Sequence, residues 1–593
     1  MGWTSFPFQR EVWQRYLRGE SGLIHSATGT GKTLAAWGGA ILEASKQASV
    51  EGVKVLWITP LRALAGDTHR SLVQAVEGIG LDWNVALRTG DTTTSERKKQ
   101  KEKPPDALIT TPESLSILLS REDSHDTFER LRLIVLDEWH ELLSSKRGSL
   151  AELCLARLRR MVPRLRTWGV SATLGNLDTA LETLVGCGGS GVLVKGETDK
   201  KVVVDSVLPE TMERFPWSGH MGLQMVPAIV DAIEESRSCL VFTNTRATAE
   251  LWFQHILAAR PDWSDALALH HGSLDRLVRD EVERKLKSGE LRAVICTSSL
   301  DLGVDFSPVD RVLQIGSPKG VARLLQRAGR SGHQPGMVSR VTCVPTHAFE
   351  LVDIAAAREA AGLGNIEPRV PLDRPLDVLA QHLVSIAAGP GFKGEEMLAE
   401  VRTARSYRGL TDGEWKLVLD FVAAGGQSLQ AYEHFRRVVE VDGIYRVVDD
   451  AIRHRHRMSI GTITSDPAVQ ISYVGGGRIG TVEESFIARL KPGDRFLFAG
   501  RALEFVRLRE LTAYVRRATS MRGPIPRWSG GRMPLSSELA AAVRQKLEEA
   551  KYGDLEGPEM QALAPLFRVQ ADWSAIPASN ELLIERVQTK DGH

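Results

Sequence analysis

From Glu11 to about Leu177, short apolar and β-branched runs alternate with amphipathic stretches: Gly22–His25, a helix from Lys32, 53–59, another helix, Ala107–Thr110 and 131–136. That rhythm predicts parallel strands, each apolar throughout because helices cover both faces of the sheet. A second series begins near Ser238, with apolar strands at 239–243, 293–297 and 312–315. Two doubly wound α/β domains in tandem are expected. The stretch 186–216, GCGGSG and then KVVVDSVLP, reads as the connection leading into the second one.

After Pro345 the texture changes. Residues 355–361 read as helical, and 377–388, 394–405 and 411–425 are three helix-length amphipathic segments. The stretch 436–448 carries Asp442-Gly443 at its centre and predicts a two-stranded wing. Three helices and a wing predict a winged helix. From Thr462 strands dominate again, with turns at Gly475-Gly476-Gly477, Lys491-Pro492-Gly493-Asp494 and Ala499-Gly500, and a helix over 536–551. The stretch 581–588 alternates like a strand and runs into Lys590-Asp591-Gly592, a hairpin turn without a return strand. The expected domains are therefore 1–200, 201–362, 363–458 and a strand-rich, barrel-like 459–593 that the sequence leaves incomplete.

At 593 residues, 42% hydrophobic and 25% charged, the chain can bury several cores, which excludes a single small module and a disordered chain. Lys plus Arg number 75 and Asp plus Glu 74, so any surface for a polyanion must be local. Cys154, Cys187, Cys239, Cys296 and Cys343 are scattered, with no C-x-x-C pair and no histidine cluster at zinc spacing. This argues against a disulfide framework and a zinc site and fits a reducing, cytoplasmic setting. The start lacks an apolar h-region, and no run approaches the roughly 20 apolar residues of a membrane-spanning helix.

Ser26-Ala27-Thr28-Gly29-Thr30-Gly31-Lys32-Thr33 follows an apolar strand and opens a helix, the setting of a phosphate-binding loop. Backbone N–H groups freed by the glycines would surround phosphate oxygens at the positive end of the helix. Lys32 would reach the β- and γ-phosphates, and the Thr33 hydroxyl would ligate Mg²⁺. The strict pattern wants Gly at position 26, where this chain has Ser; a buried glycine-rich turn is the alternative. About a hundred residues later an apolar strand ends in Asp137-Glu138-Trp139-His140. Asp137 stands where a Mg²⁺ partner should be and Glu138 where a base could polarise water. Both features fall at carboxyl ends of strands, where ligands bind such sheets. In the second series, Arg323, Arg327 and Arg330 share a helical face, with Gln326 beside it. A solvated face is one reading. Arginine fingers at Arg327 and Arg330, neutralising charge on a departing γ-phosphoryl, are the other.

These residues, with Phe8-Gln9, 59–64, 110–113, Ser171-Ala172-Thr173, 241–246, 297–305 and 326–332, resemble the ordered motif set of superfamily 2 helicases over about the first 335 positions. The DEWH form of the acidic motif, the winged helix and the later strand-rich domain are similar to Lhr-type helicases, most of all the ligase-associated DEXH-box branch. The resemblance implies two RecA-like domains, ATP and Mg²⁺ as cofactors, and a motor on single-stranded DNA moving 3′ to 5′ that unwinds a tailed duplex or RNA:DNA hybrid in repair. It implies Gln9 for adenine, Thr28 to Thr33, Gly303 and Asp305 at the nucleotide, and Ser171 and Thr173 as coupling residues. Asp305 and His140 would bridge the nucleotide and polynucleotide sides. Arg62, Thr111, Thr243, Arg246 and Thr297 fall in motifs that grip the polynucleotide backbone in relatives; taken singly, each Thr reads equally as a helix cap or turn residue. A nuclease or ligase partner rests on the resemblance alone.

Two later features stand apart. Arg453-His454-Arg455-His456-Arg457 is a basic run, either a solvated face or a backbone contact. Between Leu511 and Ser537 lie Arg516, Arg517, Arg522, Arg527 and Arg532, no acid, and Trp528, which either stacks on a base or packs onto the barrel. The rival functions are an RNA-remodelling ATPase, separated by comparing DNA with RNA stimulation, and an ATP-gated clamp or scaffold, separated by directional displacement of a block.

Overall fold

The computed structural model describes residues 4–46, 51–196, 201–209, 212, 221–302, 309–332, 338–425, 437–461, 468–519, 523–528 and 534–586. The chain forms two compact units, each discontinuous in sequence: Met1–Thr198 with Pro368–Ile463, and Asp199–Glu367 with Thr464–His593.

The first unit is built on a parallel sheet of β1 (Gly22–His25), β2 (Val55–Ile58), β3 (Val85–Arg88), β4 (Ala107–Thr110), β5 (Leu133–Leu136), β6 (Arg166–Ser171) and β7 (Val192–Lys195), in the order β3-β4-β2-β5-β6-β1-β7. Strands β2, β4 and β5 are buried at every position, which is why they read as unbroken apolar runs. The pleat sends Ile24, Trp57, Ile109 and Val135 into one core and Leu23, Leu56, Leu108 and Ile134 into another. The second unit repeats the plan with β8 (Val202–Ser206), β9 (Cys239–Phe242), β10 (Leu267–His270), β11 (Ala293–Cys296), β12 (Arg311–Ile315) and β13 (Ser339–Val344), in the order β10-β11-β9-β12-β13-β8, all parallel. Both α/β domains are thus RecA-like in architecture. The expected connection over 186–216 needs correcting: β7 closes the first sheet and β8 edges the second, because each finds a parallel partner, β1 and β13.

The winged helix belongs to the first unit. Its helices are Leu376–Ala387, Gly394–Val401 and Asp412–Ala424, followed by β14 (Val439–Val441) and β15 (Ile444–Arg446). The third helix begins at a capping box, Thr411 with Glu414, and ends at Gly425 with φ 75°. The wing turns on Asp442 and Gly443, at φ 52° and 76°, the pair that a tight hairpin demands. The helix expected over 394–405 stops at Val401; the Ser406 amide and hydroxyl instead reach buried Glu152 at 2.9 and 2.5 Å. Helix Leu376–Ala387 packs on Pro112–Leu119 and Lys146–Met161, so the winged helix and the first sheet share one core.

The second unit ends in a five-stranded sheet of β16 (Ala468–Tyr473), β17 (Arg478–Glu483), β18 (Arg495–Phe498), β19 (Arg501–Arg509) and β20 (Thr512–Arg517), in the order β17-β16-β20-β19-β18. Glu250, fully buried on helix Arg246–Ala259, accepts the Ala499 and Gly500 amides at the β18–β19 turn, at 2.6 and 3.1 Å, and ties this sheet to the second α/β domain. Helix Ser537–Lys551 packs on Glu350–Gly362. The strand expected at 581–588 is not formed over its described part. Residues 581–586 have no regular structure, and Leu582 and Ile584 stay exposed because no described strand pairs with them.

Candidate functional site: a phosphate loop, an acidic pair and an arginine cluster

The loop between β1 and helix Lys32–Ala44 closes on itself through side chains. The Ser26 and Thr30 hydroxyls lie 2.9 Å apart, and Thr30 Oγ1 donates to Ala27 O at 2.9 Å. Serine at position 26 therefore serves the loop where the strict pattern has glycine. Gly29 and Gly31 adopt φ 81° and 79°, which L side chains reach only with strain. A Cβ on Gly31 would also meet Gln9 Nε2 at 2.6 Å, because Gln9 donates to Gly31 O at 2.9 Å. Gln9 also accepts from the Phe6 amide, which fixes it at the start of helix Pro7–Leu17. Lys32 Nζ is folded back onto Ser26 O and Ala27 O, 2.8 Å from each. Thr28 and Thr33 lie half-buried along this loop and its first helical turn.

Asp137 follows β5 and is buried. Its Oδ2 accepts Trp57 Nε1 at 3.2 Å and Thr68 Oγ1 at 3.5 Å, and its Oδ1 accepts the Glu138 amide at 3.0 Å. Burial, and then the charge of Glu138, push its carboxyl up to about 7. Glu138 itself sits at φ 44°, ψ 47°, a left-handed conformation costing a non-glycine residue about 1–2 kcal/mol, and its Oε2 is buried with no hydrogen-bond partner among the described residues. His140 Nδ1 is 3.2 Å from Ser171 Oγ and 3.6 Å from Glu138 Oε2; burial lowers its pKa, so the ring is neutral. Thr173 Oγ1 is buried with no hydrogen-bond partner among the described residues. Gln9, the loop, the acidic pair, His140 and Ser171 thus belong to one sheet edge, at the carboxyl ends of β1, β5 and β6. Asp137 and Thr33 offer hard oxygens, the donor type that Mg²⁺ takes; among the described residues there is no group of three or more His, Cys, Asp or Glu that could hold a metal ion.

In the second unit the arginines of helix Val321–Ala328 and its end converge on Asp301, which the sequence reading missed. Arg327 Nε and Nη2 donate to the two Asp301 oxygens at 2.7 and 3.2 Å, Nη1 donates to Gln314 Oε1, and the guanidinium lies 4.6 Å over Phe242. Arg327 is 1% exposed, with three of its nitrogens committed inside the domain in this structure. Arg330 Nη2 donates to the Asp301 backbone carbonyl at 3.0 Å, and Arg323 lies 3.8 Å from the Asp301 carboxylate. Gln326 is buried on the same helix. Gly303 and Asp305 lie outside the described residues.

Both sheets carry the same turn. Thr59 Oγ1 donates to Leu61 O at 3.1 Å while its amide meets Thr110 O; Thr243 Oγ1 donates to Thr245 O at 3.0 Å while its amide meets Cys296 O. Arg62 and Arg246 each follow three residues later, opening a helix. Arg62 pairs with Asp91 at 3.0 Å and is largely exposed; Arg246 donates to Ser273 Oγ at 2.8 Å. Thr111 caps helix Pro112–Leu119, and Thr297 stands at the end of β11 before a short turn. For Thr111 and Thr243 the cap-or-turn reading describes the hydroxyls. Trp528 is partly buried, its ring centroid 5.8 Å from His271 and 6.3 Å from Phe498. The basic run forms helix Asp450–Ser459: His456 Nε2 meets Ser385 Oγ at 2.8 Å, Arg457 donates to Ser120 O and Ala388 O, and His454 and Arg455 are exposed.

Residues 6–180 match the DEAD/DEAH box helicase family, 223–334 the helicase conserved C-terminal domain, and 359–525 the winged helix domain of the large helicase-related protein. The chain is 34% identical over 98% of its length to ATP-dependent helicase Lhr-Core protein 2 of Thermococcus barophilus, covering 72% of that protein. This chain belongs to the Lhr family of ATP-dependent helicases. Lhr-Core of Methanothermobacter thermautotrophicus is 33% identical, with 96% of this chain and 70% of the relative covered. A solved structure of Mycobacterium smegmatis helicase Lhr bound to single-stranded DNA and AMP-PNP superposes with a TM-score of 0.74 at 28% identity, over 96% of this chain and 72% of that one. The phosphate loop and acidic pair are accordingly parts of a nucleic-acid-dependent ATPase of the Lhr type. No helix among the described residues is long and apolar enough to cross a membrane.

Proposed function

We propose that this Lhr-family helicase translocates 3′ to 5′ on single-stranded DNA and separates a duplex or an RNA:DNA hybrid, in DNA repair. The observation that carries the ATP half is the pairing of a preformed phosphate loop with Glu138, whose buried Oε2, lacking a hydrogen-bond partner among the described residues, would orient a water for attack. Gln9, tied to the loop through Gly31 O, would read adenine. Binding of phosphates would draw Lys32 off the Ser26 and Ala27 carbonyls. Mg²⁺, held by Thr33 and Asp137, would neutralise charge on the phosphates. Arg327 and Arg330 would act as arginine fingers, neutralising charge on the departing γ-phosphoryl. His140, Ser171 and Thr173 would pass the state of the nucleotide to the backbone-gripping turns at Arg62, Thr111, Thr243, Arg246 and Thr297. The DNA-bound Mycobacterium smegmatis relative supports single-stranded DNA as the track. Trp528 beside exposed Arg527 is proposed to stack on a base.

The test measures phosphate release with no polynucleotide, single-stranded DNA, single-stranded RNA and duplex, then unwinding of tailed duplexes of either polarity. Lys32→Ala and Asp137→Ala are expected to abolish turnover while strand binding persists. Near-normal turnover in either variant, or stimulation by RNA alone, would refute the reading.

A further inference from the structure

We infer that Trp57 is a positioning residue for the metal-binding carboxylate: its indole N–H holds Asp137 in the orientation from which that side chain takes Mg²⁺. The inference rests on the reading of Asp137 as a metal ligand. Trp57 is fully buried on β2, and the parallel register pairs it with Val135 and Ile58 with Leu136, while the Asp137 amide donates to Ile58 O at 2.8 Å. Asp137 therefore lies two residues beyond the partner of Trp57 and on the same face of the sheet, a diagonal that a long aromatic side chain spans. The indole nitrogen ends 3.2 Å from Asp137 Oδ2, with Thr68 Oγ1 3.5 Å from the same oxygen. The Glu138 amide occupies Oδ1. The carboxylate plane is thus pinned from both oxygens, and each keeps acceptor capacity for a cation.

Volume alone does not explain an indole at this position. The buried indoles of Trp139 and Trp168 donate to backbone carbonyls, Ala180 O and Glu20 O, whereas that of Trp57 donates to an acidic side chain at the candidate reaction centre. Trp57 also meets Trp37, 6.4 Å away and nearly perpendicular, and Trp37 lies on the helix that starts at Lys32 and carries Thr33. Partners that orient a metal ligand in this way change metal affinity when removed, by roughly 10- to 100-fold.

The experiment reads the affinity of a fluorescent ADP analogue in excess Mg²⁺ and in EDTA; the ratio is the gain contributed by the metal. Trp57→Phe is expected to lose roughly 10- to 100-fold of that gain with its EDTA affinity unchanged, and Thr68→Val a smaller part. Trp168→Phe removes an equally buried indole N–H elsewhere in the same sheet and is expected to keep the full gain. A Trp57→Phe protein with the wild-type gain, while Asp137→Ala loses it, would overturn the role of Trp57 alone. Equal losses in Trp57→Phe and Trp168→Phe would overturn it as a general packing effect. Retention of the gain by Asp137→Ala would overturn the metal reading, and this inference with it.

Discussion

Arg327 and Arg330 stand three residues apart and look interchangeable in the sequence, yet they meet different atoms of Asp301: Arg327 its carboxylate, Arg330 its backbone carbonyl. Arg327 balances the buried Asp301 charge with two hydrogen bonds, so Arg327→Ala should cost up to about 3–5 kcal/mol by taking both from that carboxylate, with Arg323 3.8 Å away. A drop in thermal midpoint checks this. Arg330→Ala should lower stimulated ATP turnover by about 10³-fold or more, the scale of a lost arginine finger. At this scale the motifs named most of the candidate site, because phosphate chemistry demands Gly, Lys, Thr and Asp at fixed spacing. The contacts of Asp301, inside a named motif, and of Trp57 were illegible, since each acts through a partner far away in sequence. The left-handed backbone at Glu138 gave no signal either, as the residue is not a glycine.

Among the elements, strands buried on both faces were the easiest to read, for hydrophobicity alone marks them; the Asp442-Gly443 turn was equally plain because few residue pairs accept positive φ. Strands β7 and β8 were hidden in a glycine-rich stretch taken for a connection, and 581–586 showed the reverse error, alternation without a partner strand. Helix Asp450–Ser459 was ambiguous for a physical reason: arginines snorkel, so a basic run says nothing of which members face inward. In the structure Arg457 satisfies two backbone carbonyls while Arg455 faces solvent. Arg457→Ala is therefore expected to lower stability by about 1–3 kcal/mol and Arg455→Ala by less than about 0.5 kcal/mol, measured by denaturant unfolding.

At the scale of the molecule, the seam between the first α/β domain and the winged helix is a packed core containing His382. Its imidazole is fully buried, and burial, assisted by nearby Arg157, drops its pKa to about 3. The folded form therefore rejects a proton that the unfolded chain accepts near 6.5, and stability conferred at neutral pH is lost as the pH falls from about 6.5 toward 3, by up to about 1.4 kcal/mol per pH unit. His382→Leu should flatten this acid limb, seen as a smaller difference in thermal midpoint between pH 7.5 and pH 5 than in the wild type. The gross plan, two similar sheets and a winged helix, was legible from periodicity. That the winged helix joins the first unit was not, because shared cores are a property of the folded chain.

The alternation of the two units along the chain has a genetic consequence. A reading frame stopped near residue 367 would still encode both motif-bearing sheets, and by its motifs alone would pass for a minimal motor. Yet it would strip from the first unit the helix Leu376–Ala387 that completes its interior, baring the apolar sides of Pro112–Leu119 and Lys146–Met161. Such a product is destined for aggregation or proteolysis, so a nonsense change there silences the protein as thoroughly as the loss of Lys32.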